Sequence, residues 1–142
     1  MTFLSKPALL VAALALAAVV TQADVVVIVS AHSTVSNLST EQVSDLFLGR
    51  VAFFPNGANA VPVDQAEGSA TRNQFYQKTI GKAAPQMKAY WARMIFTGRG
   101  QPPVEAGDDE AVKRTVANHP NLVGYIDKSA LDATVKPVLT LH

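Results

Sequence analysis

The residues with the most chemical potential lie in one stretch, Asp64-Gln65-Ala66-Glu67-Gly68-Ser69-Ala70-Thr71. A short apolar run there ends in polar residues, turns through a glycine and enters a helical pattern on two hydroxyl residues. At a helix start the first backbone N–H groups have no intrahelical acceptor, and the helix dipole adds partial positive charge. With the Ser69 and Thr71 hydroxyls beside them, those amides suit an oxyanion such as phosphate or sulfate. Asp64 is a candidate acceptor for a protonated oxyanion, and Arg72 stands next to the turn as a cation. The same spacing fits Ser69 as a plain helix cap, and hydroxyl caps are common enough that spacing alone favours the cap.

Other constellations are weaker. His32, His119 and His142 lie far apart with no paired spacing, so no metal site is expected. Asp108, Asp109 and Glu110 lack the alternating ligand spacing of a calcium loop and suit a helix N-terminus. Glu67-Gly68-Ser69-Ala70 lacks the second glycine of a nucleophile elbow, so no hydrolase is predicted; no cofactor is expected. The absence of cysteine excludes disulfides, thiolate metal sites and a catalytic thiol.

The first residues read as a leader. Met1–Lys6 is a short basic start, Pro7–Val20 is an uncharged apolar run of 14 residues, and Thr21-Gln22-Ala23 offers small residues for a signal peptidase. The run is too short for a hydrocarbon core that needs roughly 20 residues. Cleavage is expected after Ala23, leaving residues 24–142 as one exported domain with no membrane span. That stretch holds 11 basic and 11 acidic residues, so overall charge supplies no footprint for nucleic acid.

The site needs elements to hold it. Asp24–Ser30, with five consecutive β-branched residues, predicts a strand buried on both faces, as in the centre of a parallel sheet. Ser39 to Gln42 has capping-box spacing, and the helix it opens stops at Gly49. Ala60–Asp64 predicts a second strand, with Pro62 suited to an edge or a strand start. A helix from Ser69 carries Phe75 and Tyr76, and Gly81 stops it; Pro85 suits the first turn of the next. That next helix places Met87, Tyr90, Trp91, Met94 and Ile95 on one stripe, read as core or a partner surface. Thr97–Pro103 predicts an irregular loop whose glycines let Arg99 swing toward an anion. A helix capped at Asp108 and Asp109 ends near Asn118, and strands follow at Leu122–Ile126 and Lys136–Leu141. The order β-α-β-α-α-α-β-β predicts an undivided α/β domain with a mixed sheet flanked by helices.

Three stretches in order, LSTEQVSDLFLGR, VPVDQAEGSATRNQF and EAVKRTVANHPNLVGYID, resemble one lobe of the PstS-type periplasmic phosphate receptors that serve ABC importers. The resemblance spans essentially residues 24–142. It implies a single lobe of a type II periplasmic-binding-protein fold, a periplasmic location and a non-enzymatic role in phosphate binding. It also implies that Gly68, Ser69, Ala70 and Thr71 match the family's phosphate loop, with Ala70 where the family has glycine. Gln65 stands where the family has arginine, which removes the charged fork; Arg72, Arg99 or a partner would have to replace it. Family members close two lobes on the ligand, and 119 residues supply one. Three alternatives stay open: a second chain faces the first, another protein such as an ABC permease supplies the jaw, or the module has become an interaction or regulatory scaffold without phosphate.

Overall fold

A computed structural model describes residues 24–142, together with Pro7 and Ala12. The expected leader, those two positions apart, lies outside the described residues. The β-branched run forms strand β1 (Val25–Ser30), buried at every position. Helix α1 (Thr40–Phe47) follows, with the capping box in place: Gln42 N donates to Ser39 Oγ at 3.1 Å and Ser39 N to Gln42 Oε1 at 2.9 Å. Gly49 takes φ +71° just beyond it, as a left-handed helix stop requires. Then come β2 (Val61–Gln65), α2 (Ala70–Thr79), α3 (Ala84–Phe96), β3 (Val104–Gly107), α4 (Asp109–Ala117), β4 (Leu122–Asp127), a 3₁₀ turn and β5 (Val135–Leu141).

The five strands make one mixed sheet in the order β3-β2-β4-β1-β5. β2 runs parallel to β3 and β4, whereas β1 is antiparallel to both β4 and β5. The α/β class with a mixed sheet is therefore as expected. The placing of β1 at the centre of a parallel arrangement is corrected: β4 holds the centre, and β1 is buried because strands flank it and helices cover both faces. An all-apolar run reports burial, not direction or order.

The strand β3 is a further correction, since Val104–Gly107 has no apolar alternation. Val104 is 69% exposed, and the segment extends because β2 offers it an edge. Pro62 lies where only β4 pairs with β2, one residue before β3 begins, so its missing N–H costs no ladder bond on that side.

Crossover handedness sets the layers. The connection from β2 to β3 moves one way along the sheet and carries α2 and α3; the return from β3 to β4 moves the other way and carries α4. One common hand places them on opposite faces. Val25, Val27 and Val29 accordingly pack with Val43, Phe47, Phe75, Met87 and Trp91, while Val26 and Ile28 pack with Val112 and Val116. Alternation along β1 builds both cores. The centre of the first is aromatic: the Phe75 and Tyr125 rings stack at 3.9 Å, and Phe47 meets Phe75 edge-on at 4.7 Å. Among the described residues no helix is long and apolar enough to cross a membrane.

Candidate functional site

The candidate stretch falls at the carboxyl end of β2, beside the ends of β3 and β4. Ligands in open α/β sheets gather at such strand ends. Asp64 and Gln65 close β2 and are buried, at 2% and 1% exposure, while Ala66, Glu67 and Gly68 form the exposed turn. Gly68 takes φ +88°, a conformation costly for any other residue type, and so turns the chain into α2.

Ser69 is the N-cap: its Oγ accepts from Arg72 N at 3.2 Å. Its proton is also committed, because Ser69 Oγ donates to Gln65 Oε1 at 2.6 Å. Gln65 points inward and is saturated, its Nε2 donating to Asp109 Oδ1 at 2.6 Å and to the Tyr125 carbonyl at 3.1 Å. Ala70 and Thr71 begin the helix, and no acceptor in the described chain takes their amides. Ala70 is exposed and Thr71 half-buried, so the first turn of α2 faces open surface.

Arg72 turns away from that surface. Its Nη1 donates to Glu105 Oε1 and to the Gln65 carbonyl, both at 2.8 Å, and its Nε stands 3.8 Å from Asp64 Oδ1. Burial pulls its basicity down, and the Asp64 charge and the hydrogen bond to Glu105 more than restore it. Arg99 sits on the exposed loop after α3, where its backbone amide bonds the Met94 carbonyl.

Beneath the turn lies a carboxylate held by two phenols. Tyr76 Oη donates to Asp64 Oδ2 at 2.5 Å and Tyr125 Oη donates to Asp64 Oδ1. Desolvation raises the Asp64 carboxyl above its ordinary value, opposed by these two hydrogen bonds and by Arg72. Burial first, and the Asp64 charge second, push both phenols above their ordinary range, so both stay protonated donors.

The structure thus brings together Asp64, Gln65, Ser69 and Arg72 as one network and leaves Gly68, Ala70 and Thr71 on its outer side. Sequence reading missed Tyr76, Tyr125, Asp109 and Glu105 as members. Tyr76 and Tyr125 read as core aromatics in apolar patterns, and Asp109 read as a helix cap. Asp108 is the cap, and Asp109 Oδ1 instead receives Gln65 Nε2 and Asp127 N. The metal candidates do not converge: among the described residues no three His, Asp or Glu side chains group as a metal site.

This arrangement, a mixed five-stranded sheet with a helix head at the parallel strand ends, is a fold shared with part of several solved structures named for phosphate transport. A Clostridium perfringens phosphate ABC transporter substrate-binding protein with bound phosphate matches 82% of this chain at 24% identity, with a TM-score of 0.63. An ABC-type phosphate transport receptor from Vibrio cholerae matches the same share at 18% identity and 0.64, and PstS from Borrelia burgdorferi at 12% and 0.60. The chain spans less than half of each, 45%, 46% and 47% of their lengths. No protein-family model and no characterised protein matches it by sequence.

Proposed function

We propose that residues 24–142 form an exported, periplasmic oxyanion-binding module, with phosphate the first ligand to test, and that the anion seats on the turn Gly68–Thr71. The observation that carries this reading is the pair of unclaimed amides, Ala70 and Thr71, at a helix head beside parallel strand ends. The fold shared with solved structures named for phosphate supports it. The role is binding without covalent chemistry, since the Ser69 hydroxyl donates to an amide oxygen and not to a base. A leader over residues 1–23 delivers the domain, and an ABC permease or a second chain supplies the opposing surface that a tightly held anion needs.

The test uses protein recovered from the periplasm of an expressing host, with an N-terminus expected at Asp24. Amide NMR during phosphate and sulfate titrations is expected to show saturable shifts centred on Ala70 and Thr71. Unmoved resonances at millimolar phosphate would sink the reading. They would favour the second one, an interaction or regulatory scaffold that no longer binds phosphate. That alternative has its own support in the inward turn of Arg72 and Gln65, which commits the guanidinium and the amide to partners within the chain.

A further inference from the structure

Charge is divided along this chain. From Gly68 to Val104 it carries six basic residues, Arg72, Lys78, Lys82, Lys88, Arg93 and Arg99, and no acid, although residues 24–142 balance to zero. That segment is the layer formed by α2 and α3. Arg72 is paired inward, and among the described residues no carboxylate lies within ion-pair distance of the other five.

Helix α3 has an apolar face on the wrong side for the core. Met87 and Trp91 are buried and Tyr90 and Met94 partly so, which fixes the inward face. The opposite face carries Pro85, Ala89, Ala92 and Phe96, spaced four, three and four residues apart, and all four are exposed. Phe96 is 92% exposed and Ile95 51%, with Lys88 and Arg93 flanking the stripe. Contiguous exposed apolar residues rimmed by charge are the pattern of a contact surface.

At the Pro85 end, a groove between Gln74 and Gln77 of α2 and Ala84 and Pro85 of α3 is lined by Lys78. The Lys78 ammonium is buried and, among the described residues, has no hydrogen-bond partner. A desolvated cation without an acceptor is costly, and an incoming carboxylate would relieve it.

We propose that the outer face of α3 docks an acidic amphipathic helix of a partner protein, its apolar residues on Pro85, Ala89, Ala92 and Phe96 and a carboxylate over Lys78. The alanines favour a helix over a lipid surface, because small residues let two helix backbones approach closely, whereas interfacial insertion calls for large apolar side chains. A second copy meeting α3 with its own α3 would set Lys88 and Arg93 against their like. The inference does not depend on phosphate binding, since none of these residues belongs to the turn Gly68–Thr71.

The test measures fluorescence anisotropy of two labelled synthetic helices, one with a leucine stripe flanked by glutamates and one flanked by lysines, added to protein expressed from the full-length sequence. The acidic helix is expected to bind saturably, more than about tenfold tighter than the basic one, and to weaken as salt rises. Ala92→Glu and the pair Lys88→Glu/Arg93→Glu should each cut affinity by about tenfold or more at unchanged melting temperature. Lys78→Met should weaken binding while raising the melting temperature, because it removes the unpaired cation. Equal binding of both helices, binding of neither, or binding that survives Ala92→Glu would overturn the proposal. So would a preference for phosphatidylglycerol vesicles over the acidic helix, or self-association in sedimentation that Ala92→Glu abolishes.

Discussion

Tyr125 and Asp64, 61 residues apart, meet at the carboxyl ends of two neighbouring parallel strands, where the phenol of one donates to the carboxylate of the other. The same phenol oxygen accepts from Gln65 N at 3.2 Å, so one hydroxyl links β4 to both polar residues that close β2. Tyr76 completes the set from α2. The turn that enters α2 therefore rests on a buried polar network whose members each have partners, which rigidifies it.

Removing one phenol leaves the buried carboxylate a donor short. Tyr125→Phe and Tyr76→Phe are each expected to destabilise by about 1.5–3 kcal/mol, the range for a hydrogen bond to a charged group. Urea denaturation reads this as a lower midpoint at an unchanged slope. Since both act on Asp64, the double variant should lose less than the sum of the two. Strict additivity would show that the two bonds are independent.

Asp64 also predicts a pH dependence. Burial raises its folded-state pKa above the unfolded value of 3.8. The native state then holds the proton more tightly, so this contribution is fully present below the unfolded value and is lost as pH rises through the folded one. Asp64→Asn cannot ionise. The stability of the natural protein relative to this variant should therefore decline as pH rises from about 4, followed by denaturation across a pH series. Parallel stability curves would contradict a raised carboxyl.

A third expectation concerns the other face of the sheet. Gly124 on β4 lies under α4, where an added Cβ would stand 2.7 Å from Val112 Cγ1 and 3.1 Å from Val116 Cγ2. Gly124→Ala should therefore cost about 1–3 kcal/mol by overpacking. Val112→Ala in the same chain should recover part of that loss, and thermal melts of the single and double variants check both signs.

What could be read from the sequence was local. Ser39 with Gln42, and Ser69 with Arg72 N, bond across three residues, and a residue type plus a short spacing suffices to expect them. Gly49 and Gly81 stop their helices where the apolar pattern ends. The network beneath the site was hidden because its bonds span long separations: Gln65 to Asp109 crosses 44 residues and Arg72 to Glu105 crosses 33. Each of these side chains has an ordinary local explanation, as a cap, a surface charge or a core aromatic, and only the sheet order brings them together. The strand β3 was hidden for a related reason, since an exposed edge strand borrows its conformation from its neighbour and carries no apolar signal of its own.

The residue that best separates structural from binding roles at the turn is Ala70. It is the exposed first residue of α2, in a region where no non-glycine residue takes positive φ, so its Cβ is no strain on the fold. Ala70→Gly should lower stability, by up to about 1 kcal/mol, through added freedom in the unfolded chain. If an oxyanion seats on the Ala70 and Thr71 amides, the same change clears a methyl group from its approach and affinity should rise severalfold. The two effects have opposite signs and separate readouts, a thermal melt without ligand and calorimetry with phosphate. A loss of stability with unchanged binding would place any anion elsewhere, because a ligand touching those amides has to notice the carbon beside them.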